Sequence, residues 1–314
     1  MYFPILSRLE ECAANASQAL YPSLWTRHLG TICPNVLAPT ALRAPVIGRL
    51  SATDGVNAYP PVLSPLGRAI QIGTGGYIQW NQPASGDNPF KIDPPMTLSV
   101  VFRLPANTVD RYEFFFCTDR RAGFQGGKYA GIMILVNDDG IVVYQSDNTG
   151  TVLGHITGTK TVQLSAGERP IEGIWYHFVI RIPPGTIQGQ DVDSDPDKHV
   201  RFWSRTIKLP LSYVSESATE TVGTASLVHA TVQHTTVGFQ STDAYDRRAG
   251  PYDLALWQLW TRMLSVAEIN LLFSDPLAML RRKRVVYGKP VTAAGRIVSL
   301  GGYYKTDTRA VMVG

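Results

Sequence analysis

The stretch that most constrains this chain is Gly250 to Leu280, GPYDLALWQLWTRMLSVAEINLLFSDPLAML. Side chains of a β-strand alternate between its two faces, and Tyr252 to Trp260 is apolar on both. Tyr252, Leu254, Leu256 and Trp260 are expected on one face, with Ala255, Trp257 and Leu259 on the other. Such a strand belongs at the centre of a sheet, covered on both sides. The period then changes. Ser265, with Glu268 three positions on, forms a capping box, in which the Ser hydroxyl accepts from the Glu268 N–H and the carboxylate reaches back. Ile269, Leu272 and Phe273 follow at helical spacing, Leu264 and Ile269 hold staple positions, and Asp275-Pro276 ends the helix. The reading is a buried strand, a tight turn and a short capped helix.

Composition agrees with a chain built mainly of strands. Of 314 residues, 44% are hydrophobic and only 17% charged, while Gly (28) and Pro (21) are ample, a balance that favours strands and turns over long helices. The net charge of +4 is too mild to argue for a nucleic-acid partner. Cys12, Cys33 and Cys117 are odd in number and widely spaced, so they are read as free thiols of a reducing compartment. Arg8, Glu10 and Glu11 interrupt the N-terminal apolar run, which is read as neither an export signal nor a membrane span.

Residues 5–20 read as a short amphipathic helix, with Ile5, Leu9, Cys12, Ala16 and Leu20 near one face. Residues 21–66, rich in Pro, Thr and Ala, read as an extended arm lying on a surface. Gly67 to Trp80 reads as a hairpin turning at Gly73 to Gly76. Strands are expected at Met96–Arg103, Glu113–Cys117, Gly131–Val136, Gly140–Gln145, Trp175–Ile182, Val200–Ser204 and Thr235–Phe239, at the spacing of a sandwich. After Leu280, RRKR, read as a solvated basic helix end rather than a nucleic-acid contact, opens a Gly-rich, β-prone tail with no core of its own.

Gly250, Asp253, Leu264, Ser265, Glu268, Ile269, Leu272 and Phe273 together resemble the closing signature of laminin-G-like, concanavalin-A-like jelly rolls. Arg262 fits its basic position, and Leu254 stands where a second carboxylate often follows the Asp. Gly67, Ala69, Gly76, Tyr77 and Ile78 resemble the family's opening strands, and Trp175 with His177 resembles its Trp-hydrophobic-His strand. The resemblance runs from Gly67 to Leu280, about two thirds of the chain. It implies an all-β fold: a concanavalin-A-like (laminin-G-like) β-sandwich jelly roll with a short C-terminal helix and extended N- and C-terminal arms. The expected divisions are an N-terminal helix and arm (1–66), the sandwich (67–280) and a basic, Gly-rich arm (281–314). The Pro-Leu-Ala-Met-Leu piece before the arginines is similar to the end of such domains in tailed-bacteriophage proteins.

Four sets of residues were weighed as sites. Glycoside hydrolysis needs two carboxylates flanking a sugar, and no Glu-x-Asp-x-x-Glu spacing occurs; Glu113 stands alone, so no catalytic residue is assigned. Asp191, Asp193, Asp195 and Asp197 alternate in a way that suits Ca²⁺, and equally suits a solvated acidic turn. Asp-Arg-Arg-Ala-Gly occurs twice. If the sandwich brings the copies together, Arg120, Arg121, Arg247 and Arg248 would grip a carboxylate, sulfate or phosphate; otherwise each Arg pairs with Asp119 or Asp246. Trp80, Phe124, Tyr129 and Tyr245 offer aromatic planes to a sugar, or pack in the core or between subunits. His177, mid-strand, reads as a satisfied, half-buried histidine rather than a ligand.

These readings lead to a non-enzymatic structural virion protein of a tailed phage, a capsid decoration or a head or tail appendage component. It would have no resident cofactor, Ca²⁺ aside. Its partners would be its own copies and other virion proteins, reached through the arms, with host glycans secondary and no nucleic acid or membrane. The alternative is a carbohydrate-binding lectin module, with a glycoside hydrolase ranked behind it.

Overall fold

In a computed structural model of the chain, the described residues are 12–36, 47–48, 52–54, 59–73, 77–80, 95–106, 113–117, 130–137, 140–147, 159–163, 170–183, 201–206, 212–214, 219–221, 235–238, 251–283, 285–287, 291–293, 296–298 and 301–303. They form the all-β jelly-roll sandwich expected from the sequence, with one short helix, α1 (Val266–Ser274). The larger, nine-stranded sheet holds β1 (His28–Ile32), β2 (Ile47–Gly48), β4 (Pro61–Ser64), β5 (Gly67–Ile72), β7 (Met96–Arg103), β12 (Trp175–Ile182), β13 (Arg201–Thr206), β14 (Ser212–Val214) and β17 (Tyr252–Trp260). The smaller, eight-stranded sheet holds β3 (Ala52–Asp54), β6 (Tyr77–Trp80), β8 (Glu113–Cys117), β9 (Ala130–Asn137), β10 (Gly140–Asp147), β11 (Thr159–Gln163), β15 (Thr219–Thr221) and β16 (Thr235–Gly238). In the tail, β18 (Val285–Tyr287) pairs with β21 (Gly301–Tyr303) and β19 (Val291–Ala293) with β20 (Arg296–Val298); neither ladder joins a main sheet.

All nine residues of β17 are buried, as an apolar pattern on both faces requires. It pairs with β7 along one side; along the other, its first half pairs with β5 and its second with β1. The face assignment differs from simple alternation. A register shift between Leu254 and Leu256 makes Ala255 a bulge, which advances the phase by one residue. Tyr252, Leu254, Trp257 and Leu259 therefore share the inter-sheet core, while Ala255, Leu256 and Trp260 lie in the clusters on the outer face. From the smaller sheet, Ile78, Phe115, Ile134, Val136 and Val237 meet the first group. Phe115 packs against Phe102, Phe178 and Tyr252 at ring separations of 4.6, 5.0 and 5.0 Å. It is itself a bulge residue in β8, and its carbonyl accepts from Trp257 Nε1 at 3.0 Å, tying the two sheets together.

Gly67 to Trp80 is not a hairpin. β5 pairs with β4 and β17 in one sheet, whereas β6 pairs with β16 and β3 in the other. Ile70, Ile72 and Ile78 all face the same core, so the chain crosses from layer to layer instead of folding back. Nor do residues 12–20 form a helix. The Asn15 side chain takes the N–H groups of Ser17 and Gln18, while Leu280 O and Arg281 O take those of Ala13 and Leu20, so these donors are committed elsewhere. The segment 12–36 is a strap: much of it lies on the outer face, as expected of an arm on a surface, but His28–Ile32 enters the sheet as β1. Residues 5–11 lie outside the described residues.

Two substitutions test this packing. Gly67 sits at φ +104, and an added Cβ would collide with the side chain of Asn35, whose Oδ1 accepts from Arg68 N at 2.7 Å. Gly67→Ala is expected to lose at least about 1–2 kcal/mol in denaturant unfolding. Trp257→Phe leaves the buried Phe115 carbonyl unpaired and is expected to cost about 1–3 kcal/mol beyond the lost ring volume, read as a lower midpoint at unchanged slope.

Candidate functional site

Arg120, Arg121, Phe124, Tyr129, Asp191, Asp193, Asp195, Asp197, Tyr245, Arg247 and Arg248 lie outside the described residues. Trp80 is placed by its backbone, opposite Ala52 and Thr235 in β6, and Glu113 likewise, opposite Val136. The two Asp-Arg-Arg-Ala-Gly copies follow β8 and β16, which run antiparallel with Cys117 opposite Thr236. The chain therefore leaves those two strands at opposite ends of the sheet. Among the described residues, no group of three or more His, Cys, Asp or Glu is placed to hold a metal ion.

The polar chemistry that is described lies on the outer face of the larger sheet, in two rows set by strand register. The first row is Gln71, Asp253, Arg103 and Trp175, each directly opposite the next. Arg103 donates from Nε to Asp253 Oδ2 at 2.8 Å and lies 2.6 Å from it through Nη2; Gln71 Nε2 donates to Oδ1 at 3.3 Å. The guanidinium also stands 5.0 Å over the Trp175 ring. Asp253 is buried and held by donors on both oxygens, so it acts as a fixed acceptor rather than a base. The Arg103 side chain keeps 30% exposure. Half open and charge-balanced, this row suits hydrogen bonding to a neutral polar ligand better than capture of an anion.

The second row is covered. Thr31 faces Gln258, Gln258 faces Ser99, and His177 faces Arg205, while Ser99 Oγ and His177 Nε2 share a 2.9 Å hydrogen bond that joins the two parts. His177 is a satisfied core histidine, fully rather than half buried. Desolvation, helped by Arg205, lowers its pKa to about 3 and keeps it neutral. At 0% exposure Gln258 has no partner for either amide atom among the described residues. His28, which retains some exposed surface, meets Thr31 Oγ1 at 2.9 Å and stands edge-on to Trp260, and burial lowers its pKa too.

Helix α1 and the strap cover this second row. Arg262, the basic residue of the sequence signature, bonds both Glu268 oxygens at 2.9 and 2.7 Å and donates to Thr26 O and Ser23 O, each at 2.8 Å. It therefore joins the helix start to the strap. The capping box forms as expected. Two arginines from the sheet clamp the helix segment. Arg181 Nη1 donates to Leu264 O at 3.3 Å, just ahead of α1, and Arg205 Nη1 donates to Phe273 O at 2.6 Å, in its last turn. Arg281, expected as part of a solvated basic run, is instead buried against Asp275, at 2.7 and 3.1 Å. Arg103, Arg181, Arg205, Gln71 and Gln258 were missed as a group because only strand register aligns them. The available signal was partial: Gln71 and Gln258 interrupt apolar runs, whereas Arg103, Arg181 and Arg205 share their strand faces with other polar residues.

Cys12 and Cys33 lie buried as thiols in one apolar cluster, and desolvation pushes the Cys33 thiol up to about 12, leaving it inert.

No family model matches the chain, and no curated protein matches it. Among solved structures, a sialidase of Trypanosoma rangeli in complex with sialic acid is similar over 81% of this chain and 34% of its own, at 11% identity and a TM-score of 0.49. The receptor-binding domain of botulinum neurotoxin D is similar over 80% and 53%, at 10% identity and 0.44. The serotype D ligand-binding domain in complex with N-acetylneuraminic acid is similar over 81% and 52%, at 10% and 0.45. The chain spans about a third to a half of the length of these structures. Its fold rests on the ladders and core above, and nothing about its chemistry is taken from these likenesses.

Glu268 supplies a test. Hydrogen bonds from Arg262 hold its carboxyl near 2, below its ordinary 4.5, against the opposing effect of burial. The stability it contributes is present above about pH 4.5 and is lost as pH falls towards 2. Glu268→Gln is expected to lower the Tm at pH 7 by about 2–4 °C, for roughly 1 kcal/mol of lost capping. It should also flatten the acid limb below pH 4.5, read by thermal melts across pH.

Proposed function

We propose that this chain is a non-enzymatic structural protein of a tailed-bacteriophage particle, a capsid decoration or a head or tail appendage component. One observation carries this reading. The strap and the segment after α1 are laced into a single seam: Ala13 N donates to Leu280 O at 2.9 Å, Leu20 N to Arg281 O at 2.7 Å, and Lys283 N to Gln18 O at 2.7 Å. The described start of the strap and the described residues up to Lys283 therefore lie side by side, and the tail ladders pair only with each other among the described residues. Two segments presented together beside a finished sandwich suit strand exchange with neighbouring subunits. The resemblance of Pro276–Leu280 and the arginines after it to the end of phage-encoded laminin-G-like domains supports the same reading.

A second, weaker role is contact with host glycans. The Gln71–Asp253–Arg103 row beside Trp175 supports it, being half open, charge-balanced and rich in hydrogen-bonding groups. In this reading any Ca²⁺ at Asp191–Asp197 would be secondary, and the protein is found on the virion.

Mass spectrometry of purified particles from the phage that encodes the chain is expected to find it at the copy number of a structural protein, with residues 284–314 protected from protease on intact particles. Absence from the particle, or a tail cut equally fast in free and particle-bound protein, would overturn the proposal. A glycan array is expected to give weak hits that Arg103→Met abolishes; no hits with or without Ca²⁺ removes the second role.

A further inference from the structure

We propose that His177 and Arg205 form a proton-sensitive latch on the C-terminal end of helix α1. The two residues are directly opposite on β12 and β13. Arg205 Nη1 holds Phe273 O at 2.6 Å, and the Phe273 ring lies 4.7 Å from the His177 ring, so one turn of helix rests on both side chains. The groups facing His177 are assigned element by element. β13 presents the Arg205 guanidinium, β7 the Ser99 hydroxyl, and α1 the Phe273 ring. On β12 itself, Arg181 is engaged with Leu264 O and stands 5.4 Å from the Trp203 ring centroid.

While His177 is neutral, Arg205 faces an uncharged ring and caps the helix. A proton on His177, itself shut off from water, sets a desolvated cation opposite the partly exposed Arg205 guanidinium, so its charge is unsolvated and repelled in place. The relief available is for Arg205 to release Phe273 O and for α1 to lift, admitting water to both. The far end of the helix does not titrate in the same range. Glu268, held near 2, stays ionised and keeps Arg262 pinned. The cover therefore opens from its C-terminal end while the turn at Thr261–Ser265 holds.

An opening that frees His177 takes up one proton. Its equilibrium constant should rise about tenfold per pH unit below the ordinary histidine value near 6.5, on the order of a hundredfold between pH 6.5 and 4.5. Hydrogen–deuterium exchange on the full chain, corrected for intrinsic rates, reads this directly. Expected is a loss of protection of that size over 266–281, with amides of β7 and β12 unchanged. His177→Gln, or His177→Phe should that variant fold better, is expected to give a profile independent of pH over this range. Arg205→Met is expected to lower protection of 266–281 already at pH 7.5. The latch is refuted if the histidine variants keep the wild-type profile, which would assign the proton to His28, or if wild-type α1 and β12 lose protection together. A wild-type α1 that stays protected to pH 4.5 refutes it without any variant.

Discussion

Trp257 and Trp260 leave a single strand on opposite sides, and most of the architecture depends on what their indole N–H groups find. Trp257 donates across the core to Phe115 O, in the facing sheet. Trp260 donates at 2.6 Å to Leu24 O, in the strap. A third indole completes the chain, since Trp25 Nε1 donates at 3.0 Å to Met279 O in the segment after α1. Buried indoles need partners, because an unpaired donor keeps its full desolvation cost. Here each partner is a backbone carbonyl of a different layer, so the requirement of one side chain fixes the position of another element. β17 is thereby the reference for the facing sheet, the strap and, through the strap, the seam.

This explains which parts of the fold were legible beforehand. A strand apolar on both faces has to be central, and the capping box and staple define α1 locally, so both were readable from residue type and spacing. The bulge at Ala255 was not, because it depends on how β17 pairs with β7. One inserted residue moved Leu256 and Trp260 to the outer face and brought Trp257 and Leu259 to the core. The β5–β6 reading failed for a related reason. Glycines between two apolar strands signal a change of direction, but they do not say whether the second strand returns to its own sheet or crosses to the other.

The polar rows show the same limit more sharply. Gln71, Asp253 and Arg103 are distant in sequence, and nothing local marks them as one cluster; antiparallel register alone sets them side by side. Only Asp253 and Arg262 could be picked out early, through a family signature. Asp253 neutralises the arginine at the end of the neighbouring strand, and Arg262 ties the helix start to the strap. Such signature residues are construction joints, which is why the signature speaks to fold and not to ligand.

The two faces of the larger sheet are unequal in energy. The inner face meets the second sheet through aliphatic and aromatic contacts throughout. The outer face carries Thr31, Gln258, Ser99 and His177 beneath its cover, and both polar atoms of the Gln258 amide are unpaired among the described residues. A buried polar group without a partner costs about 1–3 kcal/mol, and His177 stays neutral at a further cost once the solution is acidic. These penalties fall on the contact between sheet and cover, not on the contact between sheets. Regions held by the weaker contact open first, as separate units ahead of global unfolding. The strap and helix are therefore the part of the molecule able to move while the sandwich stays folded. The seam that joins Ala13, Gln18 and Leu20 to Leu280, Arg281 and Lys283 runs through that part, so any motion of the cover moves the seam with it.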